Sequence, residues 1–151
     1  MKKLLTMLFG VFFLTAGIGA VAAETGTANE AVALVKKAAA FVKQSGKDKA
    51  LAEFNNPQGA FVDRDLYIFV IDMDGKTLAN GFNQKVVGKN VIEMKDADGK
   101  FFIKHFIEIA QAKGSGWSDY QWPDPVTKTI RPKSTYVEKV GDIVIGCGIY
   151  K

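Results

Sequence analysis

Two cations in an aromatic setting are the residues best suited to chemistry in this chain. Gly114 to Lys151 contains both Trp, three of the four Tyr, and Arg131 and Lys133. Arg131 and Lys133 are two apart, so on a strand they share a face. In the preceding strand, alternation places Ser118, Tyr120 and Trp122 on one face and Trp117, Asp119 and Gln121 on the other. Tyr136 falls opposite Arg131 and Lys133 unless a bulge intervenes. Near the C-terminus, Val144, Gly146, Gly148 and Tyr150 form one face, and Ile143, Ile145, Cys147 and Ile149 form the other. The second reads as a core face. The first is hollowed by two glycines, which weaken a strand unless something must approach the backbone there. A hollow floor, aromatic walls and a cation are what a small carboxylate site requires. The same residues fit a second reading, in which the aromatics fill a core and the cations are solvated.

Other constellations carry less. Asp72-Met73-Asp74-Gly75 and Asp96-Ala97-Asp98-Gly99 resemble the start of a calcium loop. An EF-hand needs a Glu six residues after the Gly, where this chain has Gly81 and His105. Turn chemistry accounts for both, and no metal is expected. No motif places a Ser or Cys near His105, the sole His, so it reads as a surface or boundary residue. Gly114-Ser115-Gly116 ends a helix rather than starting one, so it is not a phosphate cradle. Cys147 is the only Cys, which excludes an internal disulfide and fits a buried free thiol. With no nucleophile–base pair, metal cluster or cofactor motif, the expectation is a non-enzyme without a cofactor.

The first 23 residues read as a leader. Lys2 and Lys3 precede an uncharged apolar run, Leu4 to Val21, and Val21-Ala22-Ala23 is a small-residue cleavage site. This is the pattern of a signal peptide cut after Ala23; the rival is an uncleaved membrane anchor. The chain has 20 basic and 16 acidic side chains. Two of the basic ones lie in the leader, so 18 face 16 in residues 24–151. That excess is too small and dispersed for nucleic acid. Residues 24–151 are long enough for one domain, and 48% apolar content is ample for a core.

The elements that must position the cations follow in order. Thr27 and Glu30 form a capping box for a helix over about 29–45, with Ala31, Leu34, Val35, Ala38, Phe41 and Val42 on its apolar stripe. Gly46 stops it, and Asp48 is expected to cap a short helix over 49–54. Leu66 to Ile71 is the strongest strand signal, apolar on both faces as in a central strand. Asp72–Gly75 turns into a short partner strand over 76–79. An irregular segment over 80–98 leads to an amphipathic helix over 101–113. Three strands follow: the Trp117–Trp122 stretch, Arg131 to Val140, and Ile143 to Tyr150 after the Gly141-Asp142 turn. The class is α+β: an antiparallel five-stranded sheet, a long N-terminal helix on one face, and a crossover helix with the irregular segment on the other.

Six pieces in order resemble the single-Cache extracellular sensor domain. They are Tyr67–Asp72 with Asp74-Gly75, Gly88-Lys89-Asn90, Asp96 to Gly99, Gly116-Trp117 with Tyr120–Pro123, Lys133-Ser134-Thr135-Tyr136, and Ile145–Tyr150. The resemblance implies a PAS-like fold with a pocket on one sheet face. It also implies binding of small molecules, often short carboxylates, outside the cytoplasm. Tyr67, Phe69, Tyr120, Trp122, Lys133 and Tyr136 match its pocket-forming motifs. Arg131 joins them as the second cation, and the motif points to Lys133 as the anion's partner. Two departures stand out. Asn80-Gly81 replaces a frequent His-Pro, and Lys151 follows directly on the last strand, so a form without a second membrane span or an output domain is expected.

The expected function is thus a periplasmic or secreted, free-standing module for sensing a small organic acid. It would signal through a membrane-bound receptor or kinase. The alternatives are a ligand-free partner of a membrane receptor or respiratory complex, and an enzyme.

Overall fold

The computed structural model describes residues 24–151, so the expected signal peptide and its cleavage site lie outside the described residues. Helix α1 runs Ala28–Ser45. The Thr27 hydroxyl accepts the Glu30 N–H, and the Glu30 carboxylate accepts the Thr27 N–H at 2.8 Å. These bonds satisfy two amides left free at the helix start, as the sequence indicates. Gly46, with φ at +84°, ends α1 and is also the N-cap of α2, Lys47–Phe54. The expected Asp48 cap is therefore not formed. The reversal is completed on one glycine, and Asp48 sits inside the first turn of α2, where its charge meets the positive helix end.

The apolar run expected as one strand is split. Val62–Asp63 (β1) pairs with Leu66–Tyr67 (β2) in a small hairpin. After Ile68 the chain changes partners, and Phe69–Asp72 (β3) enters the main sheet. Thr77–Asn80 (β4) follows, then a 3₁₀ turn at Gln84–Val86 and helix α3, Phe102–Lys113. Ser115–Pro123 (β5), Ile130–Val140 (β6) and Ile143–Tyr150 (β7) form an antiparallel meander. The sheet order is β4-β3-β7-β6-β5, with β3 internal as its two apolar faces imply.

The sheet divides the core into two. Helix α1 covers Val70, Tyr136, Ile143, Ile145 and Cys147 on one face. On the other, Phe102, Phe106, Ile107 and Ala110 of α3 pack with Ile71, Tyr120, Val137 and Val144. Val91, Ile92 and Met94 from the irregular segment complete that layer. Burying a large apolar side chain contributes about 1.5–3 kcal/mol, so alternation along β7 commits its register to this arrangement.

The leading carboxylate of each Asp-rich turn braces its own turn, and Asp96 Oδ2 also accepts the Gln121 N–H at 2.9 Å. Asp72 Oδ1 accepts the Asp74 and Lys76 N–H groups at 3.0 and 2.8 Å. Asp96 Oδ1 does the same for Asp98 and Lys100 at 3.0 and 2.8 Å. These are Asx turns, in which the side chain mimics a backbone turn.

Candidate functional site

The register of β6 against its neighbours builds the site. Lys133 lies opposite Tyr120 on β5 and Tyr150 on β7. Thr135 lies opposite Ser118 and Gly148, and Val137 opposite Gly146. Gly146 in turn faces Phe69 on β3. Directly paired residues point to the same side of a sheet, so these side chains converge on the α3 side. Arg131 shares that side with its partner Trp122.

The hollow left by the two glycines is filled. A Cβ at Gly146 would collide with the Phe69 ring. A Cβ at Gly148 would collide with the Thr135 hydroxyl and with Lys133 Cε. The glycines thus let an aromatic ring and a lysine stem lie flat on the sheet.

Lys133 is only 3% exposed. Its ammonium donates to the Tyr67 hydroxyl at 3.1 Å and lies 5.0 and 4.7 Å from the Tyr67 and Tyr150 ring centroids. Ring faces attract cations, more strongly where water is excluded. The Tyr120 hydroxyl is 3.0 Å from Thr135 Oγ1. Burial works against the charged lysine, but the electrostatic attraction of Tyr67, Tyr120 and Tyr150 and the Tyr67 hydrogen bond outweigh it and hold the Lys133 pKa above the ordinary lysine value. Burial pushes the Tyr120 phenol up to about 12. Among the ion pairs of the described residues none involves Lys133. It is a buried ammonium without a carboxylate partner.

Arg131 is in the opposite condition. Its guanidinium donates to Asp124 Oδ2 at 2.6 Å and to the Lys151 carbonyl at 2.7 Å. Asp124 is 4% exposed, and its Oδ1 also accepts the Val126 N–H at 2.8 Å. The Val126 N–H and the Arg131 guanidinium hold the Asp124 carboxyl below its ordinary range, against the effect of burial.

The structure brings Tyr67, Phe69, Tyr120, Trp122, Arg131 and Lys133 to one side of the sheet. Tyr136 does not join them. Strand β6 pairs with both neighbours without a bulge, so alternation turns Tyr136 toward α1, with its ring 5.5 Å from that of Trp117. Tyr150, read from sequence only as part of the floor, walls the lysine. Thr135 was legible through alternation with Lys133, but its role depends on Gly148 across the strand. Phe82, 58% exposed, stacks on Tyr67 at 5.4 Å; it comes from the irregular segment, where no periodicity marks it.

His105 is also better connected than its sequence context suggests. Its Nδ1 lies 2.6 Å from Ser118 Oγ. The contact ties α3 to β5, and Ser118 is 1% exposed, so its hydroxyl is shut away from any substrate. The tight turn at Gly114 between α3 and β5, with Ser118 on the inward face of β5, was the available signal.

A cleft of about 240 Å³ opens beside the lysine, lined by Tyr120, Lys133, Asp96, Lys100, Asp119 and Lys151, among others. Among the described residues no helix is long and apolar enough to cross a membrane.

A five-stranded antiparallel sheet between α1 and α3, with a cation and aromatic rings gathered on one face, is a PAS-like fold. The chain belongs to the Single Cache domain 2 family, whose model matches residues 20–151. It is similar to the sensor histidine kinase MctS of Rhizobium johnstonii, with 33% identity over 89 residues, or 58% of this chain and 19% of that one. The chain thus spans about a fifth of the length of this relative. It is similar in structure to a periplasmic sensor domain of a chemotaxis protein, with a TM-score of 0.64, 25% identity, and 81% and 88% of the two chains covered. A Cache chemosensory domain solved for carboxylic acid recognition superposes with a TM-score of 0.70 at 20% identity, covering 81% and 91%.

Proposed function

We propose that this domain binds a small carboxylate on the Lys133 ammonium, outside the cytoplasm, and that a membrane-bound receptor or kinase reads its occupancy. The observation that carries this reading is the burial of Lys133 without a carboxylate partner. The ammonium has a hydroxyl and two ring faces as partners but no counter-charge, and a ligand anion would supply one through a charge-assisted hydrogen bond. The Tyr67 and Tyr120 hydroxyls stand within the same cluster to bond the carboxylate, while the Tyr150 hydroxyl donates to the Pro123 carbonyl and leaves its ring face to the lysine; Phe69 and Trp122 add apolar surface beside them. The solved Cache domain that recognises carboxylic acids agrees with this chemistry. The Lys2-Lys3 start, the apolar run and the Ala23 site support export in this reading.

A thermal-shift screen of the purified protein against short carboxylates and amines tests the reading. A ligand at 100 times its Kd stabilises the native state by about 2.7 kcal/mol. Stabilisation by a carboxylate and not by amines is expected. Stabilisation by amines alone, or by nothing in the screen, would contradict it.

A further inference from the structure

We infer that the tip of the β5–β6 hairpin is a membrane contact, in which Val126 and Ile130 enter the surface layer of a bilayer and Lys128 meets its anionic headgroups. The inference does not depend on the carboxylate reading of Lys133. It begins with how the tip is built. The Asp124 N–H donates to the Thr129 carbonyl at 2.8 Å, and the Lys128 N–H to the Asp124 carbonyl at 2.9 Å, so the turn is closed by its own backbone. The Asp124 carboxylate points inward, bonded by the Val126 N–H and the Arg131 guanidinium. The one acid of the tip is therefore buried and neutralised. Solvent meets Val126, 78% exposed, Ile130, 52% exposed, and the exposed Lys128. Val126 is the most exposed large apolar side chain among the described residues. A braced turn that hides its acid and shows apolar side chains beside a lysine suits the boundary between headgroups and acyl chains.

The position of the tip identifies the surface that covers it. The chain enters the domain at the same end. The Gly26 N–H donates to Asp65 Oδ1 at 2.6 Å, and Gly26 lies against the Leu66 side chain. The next residue, Tyr67, takes the Lys133 ammonium, and Lys133 is opposite Tyr150. From Lys133, β6 runs three residues further to Ile130, about 10 Å at the rise of a strand, so the tip projects beyond Tyr150. The β6–β7 turn marks the other end of the sheet, where Asp142 meets Lys47 just past the end of α1 at 2.7 Å. The apolar run Leu4 to Val21 is close to spanning length and stops five residues before Gly26, at most about 18 Å of chain. While that run lies in the bilayer, before cleavage or throughout if it is kept, the domain stands with this end toward the lipid and the tip within reach of it. The contact turns the Asp142 end away from the membrane.

An environment-sensitive dye tests this on the uncut full chain, reconstituted through its apolar run into vesicles of phosphatidylcholine and phosphatidylglycerol. The dye NBD is attached at Val126→Cys, at Ile130→Cys, or at the far end at Asp142→Cys, where the side chain is 72% exposed. The wild-type chain, whose Cys147 is buried, serves as the blank. Emission from positions 126 and 130 should shift to the blue of its value in the vesicle-free 24–151 protein, and spin-labelled lipid should quench it. Emission from position 142 should stay as in water. Lys128→Glu should reduce the quenching at position 126. Unshifted, unquenched emission at 126 and 130 would overturn the inference, and so would equal quenching at 142. Quenching that Lys128→Glu leaves unchanged would overturn the part given to the headgroups.

Discussion

Gly148 makes room for Lys133: a Cβ added at Gly148 would come within 2.5 Å of Lys133 Cε. The pair sits on adjacent strands, where Thr135 rather than Lys133 is the direct partner of Gly148. The lysine stem therefore runs diagonally across β7 to bring its ammonium between Tyr67 and Tyr150.

Gly148→Ala should displace that stem. The backbone of Gly148 needs no unusual φ, so the effect is one of space alone. Overpacking of a tight site costs about 1–3 kcal/mol. Urea unfolding should show a loss in that range, and carboxylate affinity should fall with it. Full stability in the Ala variant would mean that the stem is free to move aside.

Alkaline pH should weaken the fold through three buried groups. Burial raises the Cys147 thiol to about 12 from 9.0, and the Tyr120 phenol to about 12 from 10.0. For both, the unfolded chain ionises first, so stability is full below the unfolded pKa and falls as pH rises past it. The Lys133 ammonium keeps its proton longer when folded, and that contribution too is lost as pH rises beyond the ordinary lysine value. Melting temperature should therefore hold steady to about pH 9 and decline from pH 9 to 12. Cys147→Ala should delay the onset. A flat profile through pH 11 would show that these groups titrate normally in the native state.

Cys147 is fully buried between Ile145 and Ile149 on the α1 side of the sheet. Native protein should react with a thiol reagent at least about 100-fold more slowly than unfolded protein, since exposure requires opening of a core strand. Comparable rates would place the thiol at the surface.

The leader makes a separate prediction. Mass spectrometry of the exported protein should find Glu24 as the first residue, from the Val21-Ala22-Ala23 site. A mature protein retaining Met1 to Ala23 would favour the membrane anchor.

Features set by neighbouring residues were legible in the sequence, and features set by cross-strand register were not. Thr27 and Glu30 declare the start of α1 because a capping box spans four residues. The two faces of β7 follow from alternation, and Gly146 and Gly148 announce a hollow. What fills the hollow depends on β3 and β6 lying either side of β7, which only the sheet order supplies. The break at Ile68 was hidden because Leu66 to Ile71 is uniformly apolar, while the change of partner depends on where β1 lies. Tyr136 shows a different limit. The family motif groups it with Lys133, but a spacing of three on a regular strand puts the two on opposite faces. The Asp124–Arg131 pair was missed because it closes across the β5–β6 connection, whose turn residues suggested no charge pairing.

Calorimetry on Lys133→Met is the most direct measurement. Met keeps the packing of the lysine stem but loses the Tyr67 hydrogen bond and the contacts with the Tyr67 and Tyr150 rings, so the unliganded variant should fold and melt somewhat below the wild-type temperature. Losing a charge-assisted hydrogen bond costs about 1.5–3 kcal/mol, so the best carboxylate found for the wild-type protein should bind roughly ten- to a hundred-fold more weakly. A stable Lys133→Met protein with undiminished affinity would contradict the assignment of Lys133 as the anion's partner.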